Sequence, residues 1–97
     1  MMMLHLINYD LFEPGQPYGE LTAAIAKYDS KPICYSCYAI KSDLSNAEIC
    51  SELSGYLNKS DFRPANSKPD KIFVCTFSRE DFSQLNLSKD VLEWLNK

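Results

Sequence analysis

The fold turns on LHLINYDL, residues 4–11. With Met3 before it, the stretch reads as a strand over residues 3–11, rich in residues that favour extended chain. Alternation puts Leu4, Leu6 and Asn8 on one face and His5, Ile7, Tyr9 and Leu11 on the other. Both faces are mostly apolar, which predicts a strand covered on both sides. It ends at Tyr9-Asp10 and then breaks into Pro14-Gly15-Gln16-Pro17. A carboxylate at the exit of a covered strand is the feature that calls for a functional explanation.

Working outward, Pro17 suits the first position of a helix, where its missing N–H costs nothing. Tyr18, Leu21, Ile25 and Tyr28 recur at helical spacing as one apolar stripe. Asp29-Ser30-Lys31-Pro32 should end that helix, since proline cannot continue it and disfavours helix in the residue before. ICYSCYAIKS, residues 33–42, reads as extended, either one long strand or two short ones meeting near Tyr35-Ser36. Ser45 and Glu48 form a capping box for a second helix, with Asp43 adding negative charge near its N-terminus. Ile49, Leu53, Tyr56 and Leu57 give that helix its buried stripe. Residues 58–70 are polar, carry two prolines and show no period, and read as a surface loop. KIFVCTFS, residues 71–78, is a strand. Residues 88–96 read as a short helix capped by Ser88, with Val91, Leu92 and Leu95 as its stripe and Trp94 beside it.

The order β-α-β(β)-α-β plus a helix predicts an α+β chain: a ferredoxin-like βαββαβ sandwich with an added C-terminal helix, one domain over residues 1–97. Two helices cover one face of such a sheet. The apolar second face of the first strand then asks for a partner surface, and a homodimer packed sheet against sheet is the simplest supply.

The 97 residues carry a net charge of −3, with 45% hydrophobic and 24% charged residues. That balance excludes a protein that grips nucleic acid over its whole surface, though not a local basic strip. No apolar run approaches the roughly 20 residues of a membrane span. No secretory signal is visible, so no membrane association and a cytoplasmic location are expected. Cys34, Cys37, Cys50 and Cys75 then default to free thiols, read as small buried hydrophobes.

HLINYDLFEPGQPYGELTAAIAKY, SCYAIKSDLSNAEICSELSGYL, KIFVCTF and the closing LSKDVLEWLNK together resemble the small SinR-like proteins, grouped with CRISPR-associated protein 2 and the virulence-associated protein D toxins. The likeness runs over nearly the whole chain. It implies a ferredoxin-like fold and dimers. In the CRISPR relatives an aspartate at the end of the first strand has been implicated in divalent-metal-dependent cleavage of nucleic acid, near the dimer two-fold. Asp10 matches that position. Other relatives are structural adaptors that need no cleavage. The chain departs from the pattern where Tyr38 replaces a common Trp, Cys37 replaces a frequent Thr, and residues 58–70 form a longer loop. Phe82 stands in for an aromatic that is often Trp.

Two readings of Asp10 follow. As a metal ligand and catalytic residue it would hold Mg²⁺, which takes few protein carboxylates and keeps waters; a two-fold would supply the second one. As a structural residue it would cap the turn that follows. Asn8 shares its face and could orient a ligand. His5 lies about 16 Å away along an extended strand and cannot join it. Cys34-Tyr35-Ser36-Cys37 is a C-x-x-C without the second ligand pair that zinc needs. In a regular strand its sulfurs point apart, and only a bulge or a turn would bring them together. Tyr35 and Tyr38 could stack on bases, although core or interface packing is the plainer reading. Lys59, Arg63 and Lys68 are the loop cations that could reach a phosphate backbone. Two expectations result: a dimeric protein acting on nucleic acid, as a Mg²⁺-dependent endonuclease or endoribonuclease, or a non-catalytic dimeric scaffold or adaptor. The residues leave open whether the chain is an enzyme.

Overall fold

The structure, a computed structural model, describes residues 2–11, 18–57 and 70–97. It is a small α+β protein, with seven elements among the described residues: β1 (Met3–Asp10), α1 (Tyr18–Ile25), β2 (Asp29–Cys34), β3 (Cys37–Ser42), α2 (Asn46–Ser54), β4 (Lys71–Phe77) and α3 (Lys89–Leu95). The strands form one sheet in the order β2-β3-β1-β4, antiparallel at every pair. The doubly apolar strand is therefore central, flanked by β3 and β4. Pro17, the Tyr18 side chain and residues 58–69 of the expected loop lie outside the described residues.

On one face, α1 and α2 bury Leu21, Ala24, Ile25, Ile49 and Leu53 against Ile7, Tyr9, Leu11 and Ile40. Each fully buried Leu or Ile of this layer contributes about 1.5–3 kcal/mol of hydrophobic stabilisation. The Ser45–Glu48 capping box starts α2 as the sequence predicts: Glu48 N–H donates to Ser45 Oγ at 3.0 Å, and Ser45 N–H donates to Glu48 Oε1 at 3.1 Å. His5 is fully buried at one end of this face. Its Nε2 lies 3.3 Å from the Ser42 carbonyl oxygen and its Nδ1 lies 2.7 Å from Asn46 Oδ1. Thr76 Oγ1 donates to the same Asn46 oxygen at 3.1 Å. Each nitrogen of the buried imidazole thus faces an oxygen within hydrogen-bonding distance.

The opposite face receives α3. Val91, Trp94 and Leu95 bury Leu4 and Ala39, with Ile33, Phe77, Phe82 and Leu87 packed around them. Polar contacts fix the helix in place. Trp94 Nε1 donates to Asp29 Oδ1 at 2.8 Å, and Lys41 Nζ donates to the Trp94 carbonyl at 2.7 Å. The same ammonium lies 4.6 Å from the centre of the Trp94 ring. Lys31 pairs with Asp90 at 2.7 Å. The second apolar face of β1, which the sequence assigns to a partner subunit, is covered over its first half by the chain's own C-terminal helix. Trp94 belongs to the buried stripe of α3, and Leu92 is only half-buried.

One further boundary differs from the sequence reading. The helix ends at Ile25, so Tyr28 lies beyond it, and residues 29–32, expected to stop the helix, begin β2 instead. Among the described residues that strand is an edge, pairing with β3 alone. An edge strand tolerates proline because one row of its backbone groups has no ladder partner. Residues 33–42 resolve into two strands around a turn at Tyr35-Ser36, with Ser36 at φ 63°. Among the described residues no helix is long and apolar enough to cross a membrane.

Candidate functional site

The α3 layer stops short of the end of β1 where Asp10 lies. Register places Asn8 between Cys37 of β3 and Phe73 of β4, and Asp10 opposite Lys71. Cross-strand partners share a sheet face. Asn8, Asp10, Lys71 and Phe73 therefore lie together on the open half of the face that α3 covers only in part. All four are exposed, Phe73 by 63%. Asp10 and Lys71 are the last and first residues of their strands and are register partners at the rim. The β2–β3 turn borders the same rim, with Tyr9 N–H donating to the Ser36 carbonyl at 3.1 Å. Tyr35, at the tip of that turn, is 93% exposed.

The other residues singled out in the sequence sort clearly. Tyr9 points to the opposite face and stacks on Tyr38, ring centres 6.5 Å apart and planes at 23°. Tyr38 is thus taken up in packing, whereas Tyr35 is exposed. His5 belongs to the α1/α2 side and plays no part in the rim. Lys59, Arg63 and Lys68 lie outside the described residues. Phe73 and Lys71 are additions to the sequence reading. Alternation in KIFVCTF already puts Lys71, Phe73, Cys75 and Phe77 on one face; what it lacks is which part of that face α3 covers.

The thiols depart from the buried-hydrophobe reading. Cys34 is exposed, and Cys37, Cys50 and Cys75 are half-buried and free. Cys34 and Cys37 are register partners across the turn, with an irregularity between Pro32 and Cys34. The Cys37 thiol is pushed above its ordinary value, first by burial and then by the neighbouring thiols of Cys34 and Cys75.

The rim offers hard oxygen donors, the Asp10 carboxylate and the Asn8 amide, of the kind that suits Mg²⁺ rather than zinc. Among the described residues no three His, Cys, Asp or Glu side chains converge as a metal cage. Of the four rim residues only Asp10 is a carboxylate, compatible with a cation that retains most of its waters. Compared with known protein families, curated proteins and solved structures, the chain matches none.

Proposed function

We propose that this chain is a ferredoxin-like, dimeric protein related to the CRISPR-associated protein 2 group, acting on nucleic acid through the rim around Asp10. The alternation of strands and helices and the order β2-β3-β1-β4 support the fold assignment. The observation that carries the function is the exposure of Asp10 beside Asn8, Lys71 and Phe73 on the uncovered half of the sheet. An exposed ring on a sheet face can stack a base, and the adjacent ammonium can meet a phosphate. A half-open sheet face with Phe73 and Leu6 on it also favours a second copy as neighbour. In a dimer the two Asp10 carboxylates, aided by Asn8, would hold Mg²⁺. Bound there, the ion would polarise a phosphodiester and lower the pKa of an attacking water. The adaptor reading is favoured by one specific observation, that Asp10 is the one carboxylate among the four rim residues described.

Cleavage and binding of labelled single-stranded RNA and DNA, in Mg²⁺ and after rigorous nuclease removal, separate the readings. Asp10→Asn should abolish cleavage with an unchanged circular dichroism spectrum. Phe73→Ala should weaken binding by roughly 5- to 150-fold, the loss of one stacked base at about 1–3 kcal/mol. Binding that survives in both variants without any cleavage would support the adaptor. Equal cleavage by wild type and Asp10→Asn would refute the nuclease.

A further inference from the structure

We propose that Cys34 and Cys37 form a reactive dithiol site that exchanges with small disulfides and closes an intramolecular disulfide across the β2–β3 turn. In an unbroken strand the two side chains would face opposite sides of the sheet. Two local departures bring them together. The chain reverses at Tyr35-Ser36, with Ser36 in the left-handed region at φ 63°. A register shift between Pro32 and Cys34 then leaves Ile33 as the extra residue of β2. Such a bulge sets two residues against one and resets the alternation. Ile33 reaches the α3 layer, and Cys34 is still the cross-strand partner of Cys37.

The spacing suits a bridge. Residues flanking a tight turn have Cα atoms less than about 7 Å apart, and disulfides span about 4.4–6.8 Å. Partners on one face hold their Cβ atoms about 4.5–5.5 Å apart, so closure asks for a shift of about 1 Å. The turn can give that shift, since β2 is an edge strand held only on one side.

The two thiols differ in a way that divides their roles. Cys34 is exposed and can be reached by a reagent, while Cys37 is half-buried and its thiol is held protonated by its surroundings. The Cys34 thiolate attacks one sulfur of a small disulfide such as oxidised glutathione. The reagent's S–S bond breaks and one glutathione leaves as thiolate. Cys37 gives its proton to solvent and attacks the Cys34 sulfur, and the second glutathione thiolate leaves as the Cys34–Cys37 bond forms. Two cysteine thiols are oxidised and one glutathione disulfide is reduced. The Ser36 carbonyl between them holds the Tyr9 N–H, so the bridge would form beside the Asp10 rim. The inference is independent of what that rim binds.

The test is oxidation of the fully reduced chain with oxidised glutathione, followed by intact mass and tryptic mapping. Trypsin cuts after Lys27 and Lys41 and passes over Lys31-Pro32, so both cysteines fall in one peptide, residues 28–41. The expected result is loss of two of the four thiols, with that peptide lighter by two hydrogens and no retained glutathione. Cys37→Ser should stop at a stable Cys34–glutathione adduct, and Cys34→Ser should lose the bridge altogether. Cys50→Ser and Cys75→Ser should form it as the wild type does. A wild type that keeps glutathione on Cys34, that links Cys37 to Cys75, or that retains all four thiols would overturn the proposal. Trp94 fluorescence, read on every sample, verifies that the fold is intact.

Discussion

Replacing Trp94 should test the docking of α3 more sharply than any other single change. The ring is 8% exposed and packs with Leu4, Ala39, Val91 and Leu95. Truncation to alanine removes the largest side chain of the layer and leaves a cavity, which costs about 3–5 kcal/mol. The cation–π contact with Lys41 adds about 0.5–1 kcal/mol. The hydrogen bond to Asp29 adds little, because that carboxylate is exposed and water replaces the indole. A chain of this size has roughly 5–15 kcal/mol of total stability, so Trp94→Ala removes a large share. Trp94→Phe keeps most of the buried area and should cost about 1–2 kcal/mol. Urea unfolding followed by circular dichroism measures both, and the alanine variant should melt lower by more than about 12 °C. If Trp94→Ala costs less than about 1 kcal/mol, α3 does not cover the sheet and the second face of β1 must be buried by something else.

Ser45→Ala should destabilise by about 1 kcal/mol through loss of the α2 cap, with the same slope against urea. His5→Leu should cost about 1–3 kcal/mol by leaving the carbonyl of buried Ser42 without the imidazole, again read by urea unfolding. Tyr28 donates its hydroxyl to Glu52, and burial, that bond and the nearby carboxylate hold its proton more tightly than the ordinary value of 10.0. The folded state then keeps a proton that the unfolded chain loses above pH 10, so stability falls as pH rises through that region. Tyr28→Phe should flatten this alkaline decline, and a melting temperature that falls equally in both proteins would refute it. Ending the chain before Ser88 should expose Leu4, Ala39 and Phe77 and make the protein self-associate, as read by sedimentation.

The elements that rest on local signals are legible in the sequence. The central strand follows from two apolar faces, α2 from its capping box, α3 from Ser88 and its stripe, and β4 from alternation. What escapes is set by contacts between distant residues. The polar start of β2 is stabilised by pairing with β3, and no periodicity in Asp29-Ser30-Lys31-Pro32 announces it. The choice between a partner subunit and α3 as cover for β1 depends on Trp94 meeting Asp29 and Lys41, positions 65 and 53 residues away. Asp10 is visible as a carboxylate at a strand exit, but its neighbours Lys71 and Phe73 come from the far end of the chain by register. Cys34 and Cys37 become partners only through a bulge and a left-handed Ser36, neither of which composition reveals.

The rim around Asp10 is tested most directly by titrating Mn²⁺ into isotope-labelled protein and following paramagnetic broadening of amide signals. Mn²⁺ shares the oxygen preference of Mg²⁺. If Asp10 holds a divalent ion, the signals of Asn8, Tyr9, Asp10 and Lys71 broaden first in the wild type, and this selectivity is lost in Asp10→Asn. Broadening that is uniform over the surface, or unchanged by Asp10→Asn, would contradict it.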